Sequence, residues 1–401
     1  MAARLVIGLM AWLGYCASAV SDDGVSASES TKVVFDGPFV NVVLEDQKVG
    51  EHRVWVNDFA GGVYSRAILF NADNGEMLGS VETGWEGVKL DIPKMGEEFY
   101  TSALYMSRGY HGERTDVLEF FNRSTLNIES ELVLPPKAGR GIPNANHSNF
   151  SDDEAFLFLT FFTPASSVGV VDLKAKKYIG EIETAGCAYV FSGGPRRFFA
   201  LCGDGSVLAI TIDNAGKELS RKRYQGLFDP IGDPLHGTAV RSGETWYFVT
   251  YLGQVHTVDV SGEELVHKVL WSAGEKSGAN KAWVPAEMYQ NLAIHDTNQR
   301  LYVLTGEQDL TPKGGGADYH RKNGTEVWVF DLASGERIQR LEMPQPMTAI
   351  SVSQDKTPVL YAANVFSPKV LVLDAVSGEQ LRELDAGFMG FPTVLQPIEP
   401  R

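Results

Sequence analysis

One pattern recurs seven times along this chain and constrains its fold more than any other feature. A β-rich run ends in Asp or Asn, passes through a short polar turn that often holds Gly, and resumes as a second strand. The instances lie at 68–82, 118–134, 169–183, 209–224, 256–270, 327–342 and 370–385, with Asn71, Asn122, Asp172, Asp213, Asp259, Asp331 and Asp374 as markers. The markers recur every 41 to 51 residues, except that Asp259 and Asp331 lie 72 apart. Each instance reads as a hairpin, because Asp or Asn ahead of Ser-Gly or Asn-Gly supplies the left-handed backbone that tight strand pairs need. Two further strand-like stretches precede each marker, as at 197–201 and 245–252. A unit thus carries about four strands in about 45 residues, the period of a propeller blade. The sequence predicts an all-β, seven-bladed β-propeller of four-stranded antiparallel blades. The strand around His52–Val56 is expected to pair into the ring closed by the last blade, which removes an exposed edge. No Gly-His…Trp-Asp signature occurs, which excludes a WD40 array.

This topology assigns faces before any function is considered. If the marker turn joins the third and outer strands, the loop between the second and third strands lies on the opposite face. Those loops fall at 59–62, 107–115, 163–167, 203–205, 252–254, 306–325 and 366–368, and they differ widely in length and chemistry. Variable loops on a rigid scaffold are where function concentrates. The excess in the long spacing divides between the sixth of these loops and residues 272–286.

The N-terminus reads as an address. Arg4, an apolar run from Leu5 to Leu13, and Ala17-Ser18-Ala19 form the pattern of a secretory signal peptide. Residues 1–19 are expected to be removed, 20–48 to form a flexible tail, and 49–401 to form the propeller. The apolar run is too short to span a bilayer. A lipid anchor at Cys16 is the competing reading, weakened by the bulky Tyr15. The formal charge of −16 disfavours nucleic acid as a partner, since phosphate contacts need Lys and Arg.

Export would leave two cysteines, Cys187 and Cys202, flanking an SGGPR turn. A hairpin symmetric about Gly194-Pro195 sets Phe191 against Phe198, Tyr189 against Ala200, and Cys187 against Cys202. Directly opposed cysteines on paired strands meet disulfide distances, and an oxidising compartment favours the bond over two free thiols. Catalytic motifs are missing: no GxSxG, HExxH, P-loop or dinucleotide fingerprint occurs, and the eight histidines show no metal-ligand spacing. His147 among Asn144, Asn146 and Asn149 reads as a polar site or as a loop satisfying its own backbone. Arg108, His111, Glu113 and Arg114 read as an internal ion network or a partner-binding patch. Lys313, His320, Arg321 and Lys322 read as a solvated loop or a cationic contact.

Several segments resemble one known family. SRGYHGERTDVLEFF (107–121) is similar to a segment of methylamine dehydrogenase heavy chains, as is PASSVGVVDL (164–173). So are the Cys187/Cys202 hairpin with Gly203-Asp204-Gly205-Ser206 after it, RVWVNDF (53–59), ISVSQDKTPVLYA (350–362) and DAVSGEQLREL (374–384). The resemblance runs colinearly from about 50 to 395. It implies the heavy subunit of a periplasmic α2β2 amine dehydrogenase, with no catalytic residue, metal or cofactor on this chain. Tryptophan tryptophylquinone would sit on the light subunit, oxidising a primary amine to aldehyde and ammonia. A cupredoxin such as amicyanin or azurin would accept the electrons. The missing catalytic motif then has a cause, because the chemistry belongs to a cofactor on another chain.

Two departures bear on the substrate. The family's Asn-Asp-Pro-Ala-His-Phe-Ala-Ala-Val, whose Phe lines the substrate path, is matched here by Asn57-Asp58-Phe59-Ala60-Gly61-Gly62-Val63-Tyr64. Gly61 or Gly62 falls near the Phe position, leaving Phe59 and Tyr64 as aromatic stand-ins. The family's Trp-x-Pro-Gly-Gly-Trp-Gln is matched by Trp283-Val284-Pro285-Ala286-Glu287-Met288-Tyr289-Gln290. The expected entrance and partner face therefore comprises Phe59, Gly61, Gly62, Tyr64, Arg108, His111, Glu113 and Arg114. Two other functions fit a propeller: a stand-alone exported binding module, and a lactonase-type hydrolase, which needs a Glu/Asn/Asp metal cluster that no spacing here supplies.

Overall fold

A computed structural model describes residues 29–32 and 43–400, apart from 60–63, 86, 88, 139–143, 287–288, 312–322, 366, 368, 386 and 388–390. Seven antiparallel sheets follow one another along the chain, and each is a blade. We letter the strands of a blade A to D from the innermost outward. Blade three is Ser148–Phe150, Phe156–Phe161, Ser167–Asp172 and Lys177–Glu183. Blade four is Cys187–Ser192, Arg197–Cys202, Val207–Ile212 and Glu218–Tyr224. Blades five and seven keep the plan at 235–272 and 349–385.

The markers hold for a local reason. Each Asp or Asn ends a strand C or, for Asp213, directly follows it, and its side-chain oxygen accepts from a backbone N–H two to four residues on. Asn71 takes Asp73 N and Asn122 takes Ser124 N. Asp172 takes Ala175 N, Asp213 takes Ala215 N and Asp259 takes Ser261 N. Asp331 takes Ala333 N and Asp374 takes Val376 N. These side chains mimic a backbone turn. Gly335 and Gly378 then take φ of 73° and 78°, the left-handed conformation glycine adopts without steric cost.

Packing is between blades. Seven apolar clusters fill the seven seams, each drawn from two neighbouring blades. The seam of blades four and five is aromatic: Phe191 lies 5.1 Å from Phe199, 5.3 Å from Trp246 and 5.1 Å from Phe248.

Blade one closes the ring. Its strand A is Phe391–Ile398, and its B, C and D strands are Arg53–Phe59, Tyr64–Asn71 and Met77–Trp85. The register runs from Arg53 opposite Ile398 to Phe59 opposite Phe391. Asn57 Nδ2 reinforces it by donating to Val394 O at 3.0 Å and Gln396 Oε1 at 2.9 Å. His52 pins this sheet to blade seven, with Nδ1 2.6 Å from Asp73 and Nε2 3.1 Å from Asp355.

Three regions depart from the uniform plan. In blade two, strands B, C and D are Glu98–Met106, Arg114–Asn122 and Ile128–Leu134, while the inner strand is reduced to one bridge, Asp91 to Tyr100. In blade six, strands A to D are Leu292–His295, Arg300–Asp309, Gly324–Asp331 and Arg337–Met347. Its long spacing forms an added hairpin, Glu275–Lys276 with Lys281–Pro285, paired to the far end of strand B. Thirdly, part of the segment expected to be a free tail is held: Thr31–Lys32 pairs with strand D of blade two, and Leu44 N donates to Ser124 O.

The cysteine hairpin corrects one register expectation. Cys187 faces Cys202 and the two form a disulfide. Phe191, however, faces Phe199 rather than Phe198, because the register shifts between Ala188 and Phe191. Tyr189, at φ 61°, sits in that bulge. The extra residue moves the rest of strand A by one.

Candidate entrance and partner face

In an antiparallel blade the B–C loops and the D-to-A crossings share one face, called here the upper face; the marker turns lie on the lower face. On the upper face of blades one and two, chain direction brings the ends of strand B and the starts of strand C together. Phe59 ends strand B of blade one, is 7% exposed, and lies opposite Phe391 of the closing strand. Tyr64 begins strand C and is 39% exposed. Of the two aromatic stand-ins, Phe59 is therefore in the core and Tyr64 at the surface. Gly61 and Gly62 lie outside the described residues.

Tyr64 has a backing. Its ring lies 5.8 Å from that of Tyr105, tilted by 44°. The Tyr105 hydroxyl donates to Glu119 Oε1 at 2.7 Å. Burial pushes the Glu119 carboxyl up to about 7; the Tyr105 hydrogen bond opposes this, and the charges of Glu131 and Glu82 add to it. Beside Tyr64, Arg66 donates to the buried Asp58 at 3.2 Å and to Gly387 O at 2.9 Å, tying strand C to the crossing from blade seven. Tyr105, Glu119 and Arg66 were not singled out from sequence. The signal was present in the period of strands B and C, which turns Thr101, Tyr105 and Glu119 into the seam, but only the blade pairing shows that a second blade covers them.

The 107–113 loop is not an internal ion network. It closes on its own backbone: Ser107 N donates to Glu113 O, Arg108 N to His111 O, and Glu113 N to Ser107 Oγ. Arg108, His111 and Glu113 are exposed with no ion pair among them, and Tyr110 stands 72% exposed beside His111. Arg114 differs. It forks onto the buried Asp116 at 2.6 and 2.7 Å and donates to Ala138 O at 2.6 Å, so it braces the crossing to blade three.

His147 belongs to a packed corner. Asn144 Oδ1 accepts from Asn146 N, Asn146 Nδ2 donates to Gly237 O, and the His147 ring meets Phe162 at 5.5 Å and Tyr189 at 5.6 Å. This contact explains the bulge, since Tyr189 leaves the regular strand to reach blade three. Lys313, His320, Arg321 and Lys322 lie outside the described residues.

Inner strands of blades five, six, seven and one, with Asn146, surround a cavity of about 310 Å³ lined by Arg241, Gln290, Ser351 and Gln354. A second cavity of about 410 Å³ opens on the lower face beside Trp55 and Phe99, beneath residues 44–47. Neither lies at the upper-face loops. Among the described residues no group of three or more His, Cys, Asp or Glu is placed to hold a metal, and no helix is long and apolar enough to cross a membrane. Trp283 and Trp328 are 5.7 Å apart, but Arg340 covers both rings and Trp328 donates Nε1 to Glu326. That pair is part of the packing of blade six.

Known proteins agree with this plan. The chain matches the family model for methylamine dehydrogenase heavy chains (MADH) over residues 50–396. It is 26% identical to the methylamine dehydrogenase heavy chain of Paracoccus versutus, over 86% of this chain and 79% of that one. Against the heavy chain of Methylobacillus flagellatus it is 23% identical, over 92% and 91%. Among solved structures, a functionally unknown protein from Desulfotomaculum acetoxidans superposes with a TM-score of 0.58 at 13% identity, over 87% of this chain and 99% of that one. A putative 6-phosphogluconolactonase from Bacteroides fragilis gives 0.56 at 11% identity, over 87% and 98%. These two structures speak to the fold alone. The match from the first strand of blade one to the closing strand covers every blade, and the chain belongs to the methylamine dehydrogenase heavy chain family.

Proposed function

We propose that this chain is the heavy subunit of a periplasmic quinoprotein amine dehydrogenase, assembled with a light subunit as α2β2. The observation that carries this reading is the family match across the whole ring. The light subunit's tryptophan tryptophylquinone supplies the oxidation of a primary amine, and a cupredoxin, amicyanin or azurin, receives the electrons. This chain contributes architecture, docking surface and part of the substrate entrance. Its upper face supports the docking role: among the described residues the exposed aromatics Tyr64, Tyr110 and Phe391, 38% to 72% exposed, all lie there. Aromatic side chains are enriched at partner surfaces.

Tyr64 takes the place of an entrance aromatic, and Gly61 and Gly62 leave the adjoining backbone without side chains. An entrance widened by one methylene shifts discrimination by about 1–3 kcal/mol. We expect the reconstituted complex to turn over longer or aromatic amines with kcat/KM at least equal to that for methylamine. Gly62→Phe should restore preference for methylamine. The heavy chain alone should oxidise no amine with a dye acceptor. Turnover by the isolated chain, or hydrogen-exchange protection by the light subunit on the marker-turn face, would overturn the reading.

A further inference from the structure

Glu119 lies mid-strand in blade two, turned into the seam with blade one and 3% exposed. One carboxyl oxygen accepts from Tyr105. The other, and the hydroxyl of Thr101 directly across the strand pair, have no hydrogen-bond partner among the described residues. The charged groups that bear on Glu119 are Glu131, across on strand D, and Glu82 of blade one, both negative. Tyr64 is the neighbouring phenol and bears on Tyr105. A buried carboxylate facing two like charges is expensive to ionise, and the neutral acid is the form this seam accommodates.

Three groups are thus stacked from interior to surface. Glu119 holds the Tyr105 hydroxyl, Tyr105 backs the Tyr64 ring, and Tyr64 is exposed on the upper face. We propose that Glu119 is a positioning residue: held as the neutral acid it fixes Tyr105 and, through it, Tyr64 at the substrate entrance, and loss of its proton displaces Tyr64. The displacement has a physical cause. The new charge pulls toward water or draws water into the seam, and the phenol that donates to it follows, because hydrogen bonds to ionised acceptors are the stronger ones. The functional meaning rests on the entrance proposed above, but the coupling itself does not.

Two measurements on the full chain test the coupling without substrate. The first follows the Glu119 side-chain carboxyl by carbon NMR in glutamate-labelled protein, assigned by its loss in Glu119→Gln. Titration near neutrality is expected; titration in the ordinary glutamate range overturns the proposal. The second follows nitration of Tyr64 relative to Tyr110, an exposed phenol that cancels the common pH dependence. The ratio should change several-fold as Glu119 ionises and stay flat in Glu119→Gln, which keeps the neutral, accepting oxygen. A ratio that is flat in the unmodified chain, or that changes equally in the variant, overturns it. In the assembled enzyme, kcat/KM for a bulky amine should show an inflection near pH 7 that Glu119→Gln removes. If both heavy-chain measurements succeed and this inflection is missing, the entrance assignment fails and the coupling stands.

Discussion

Blades one and four share a four-stranded plan and differ in how they are held. Blade four is contiguous, Cys187 to Tyr224, with its inner hairpin joined by the Cys187–Cys202 disulfide. Its seam with blade five is aromatic, and the indole of Trp246 is satisfied by Ser192 O at 2.7 Å. Blade one takes its inner strand from the far end of the chain. Asn57 Oδ1, Trp85 Nε1 and Thr393 Oγ1 in blade one, with Thr101 Oγ1 and Glu119 Oε2 facing it from blade two, are buried without partners among the described residues. One sector is apolar and cross-linked; the other holds polar atoms at a stability cost. The costly sector underlies the loops proposed as the entrance, which is where departures from good packing are expected in a functional protein.

The largest test removes an aromatic from the apolar seam. Phe191→Ala should cost about 3–5 kcal/mol in denaturant unfolding, as large-to-small core changes do. Thr101→Val, isosteric and in the polar seam, should change stability by less than about 1 kcal/mol, since its hydroxyl makes no bond to lose. Equal costs at the two sites would end the comparison.

Next in size is the disulfide. Its partners are 15 residues apart, and replacing both with Ser should cost about 3 kcal/mol in the chain-entropy model. The register should survive, because the Phe191–Phe199 pairing is set by packing. Amide exchange in 187–202 that rises to the level of open loops would show instead that the bond itself sets the register.

The smallest effect is a pH dependence of opposite sign in the two sectors. At the closing seam, burial disfavours a charged His52, but Asp73 and Asp355 outweigh it and raise its pKa above 6.5. Its contribution is present below pH 6.5 and is lost as pH rises through the higher folded value. In blade five, burial and then His267 push His256 down to about 4. That contribution is present above pH 6.5 and is lost as pH falls toward about 4. Protection factors should therefore fall at 52–58 on the alkaline side and at 254–272 on the acid side. His52→Gln should flatten the first change only. Parallel changes in both segments would mean that the ring responds as a whole.

What sequence could supply here was local. An Asp two residues ahead of a receiving N–H makes its turn with no help from the rest of the chain, so the markers gave the blade count and the faces. Cys187 opposite Cys202 was legible in the run, but the register next to the turn, Phe191 opposite Phe199, reaches it only through the extra residue in the bulge. That bulge was not legible, since the left-handed backbone of Tyr189 serves a contact with His147 in another blade. Glu119 reads in LEFFN as an ordinary strand residue, and its burial depends on blade one covering it. The charge-rich 108–114 run left two readings open because composition cannot tell Arg114, forked onto Asp116, from Arg108, which faces solvent.

The closing strand has a consequence for how this protein is made. Asn57 meets Val394 across a separation of 337 residues. Blade one cannot be completed while the ribosome is still adding blades two to seven, so the first sheet begun is the last finished. Until then strand B of blade one keeps an open edge, and pairings of such long range form slowly. In the periplasmic reading proposed above, that delay keeps the polypeptide threadable until it has crossed the membrane.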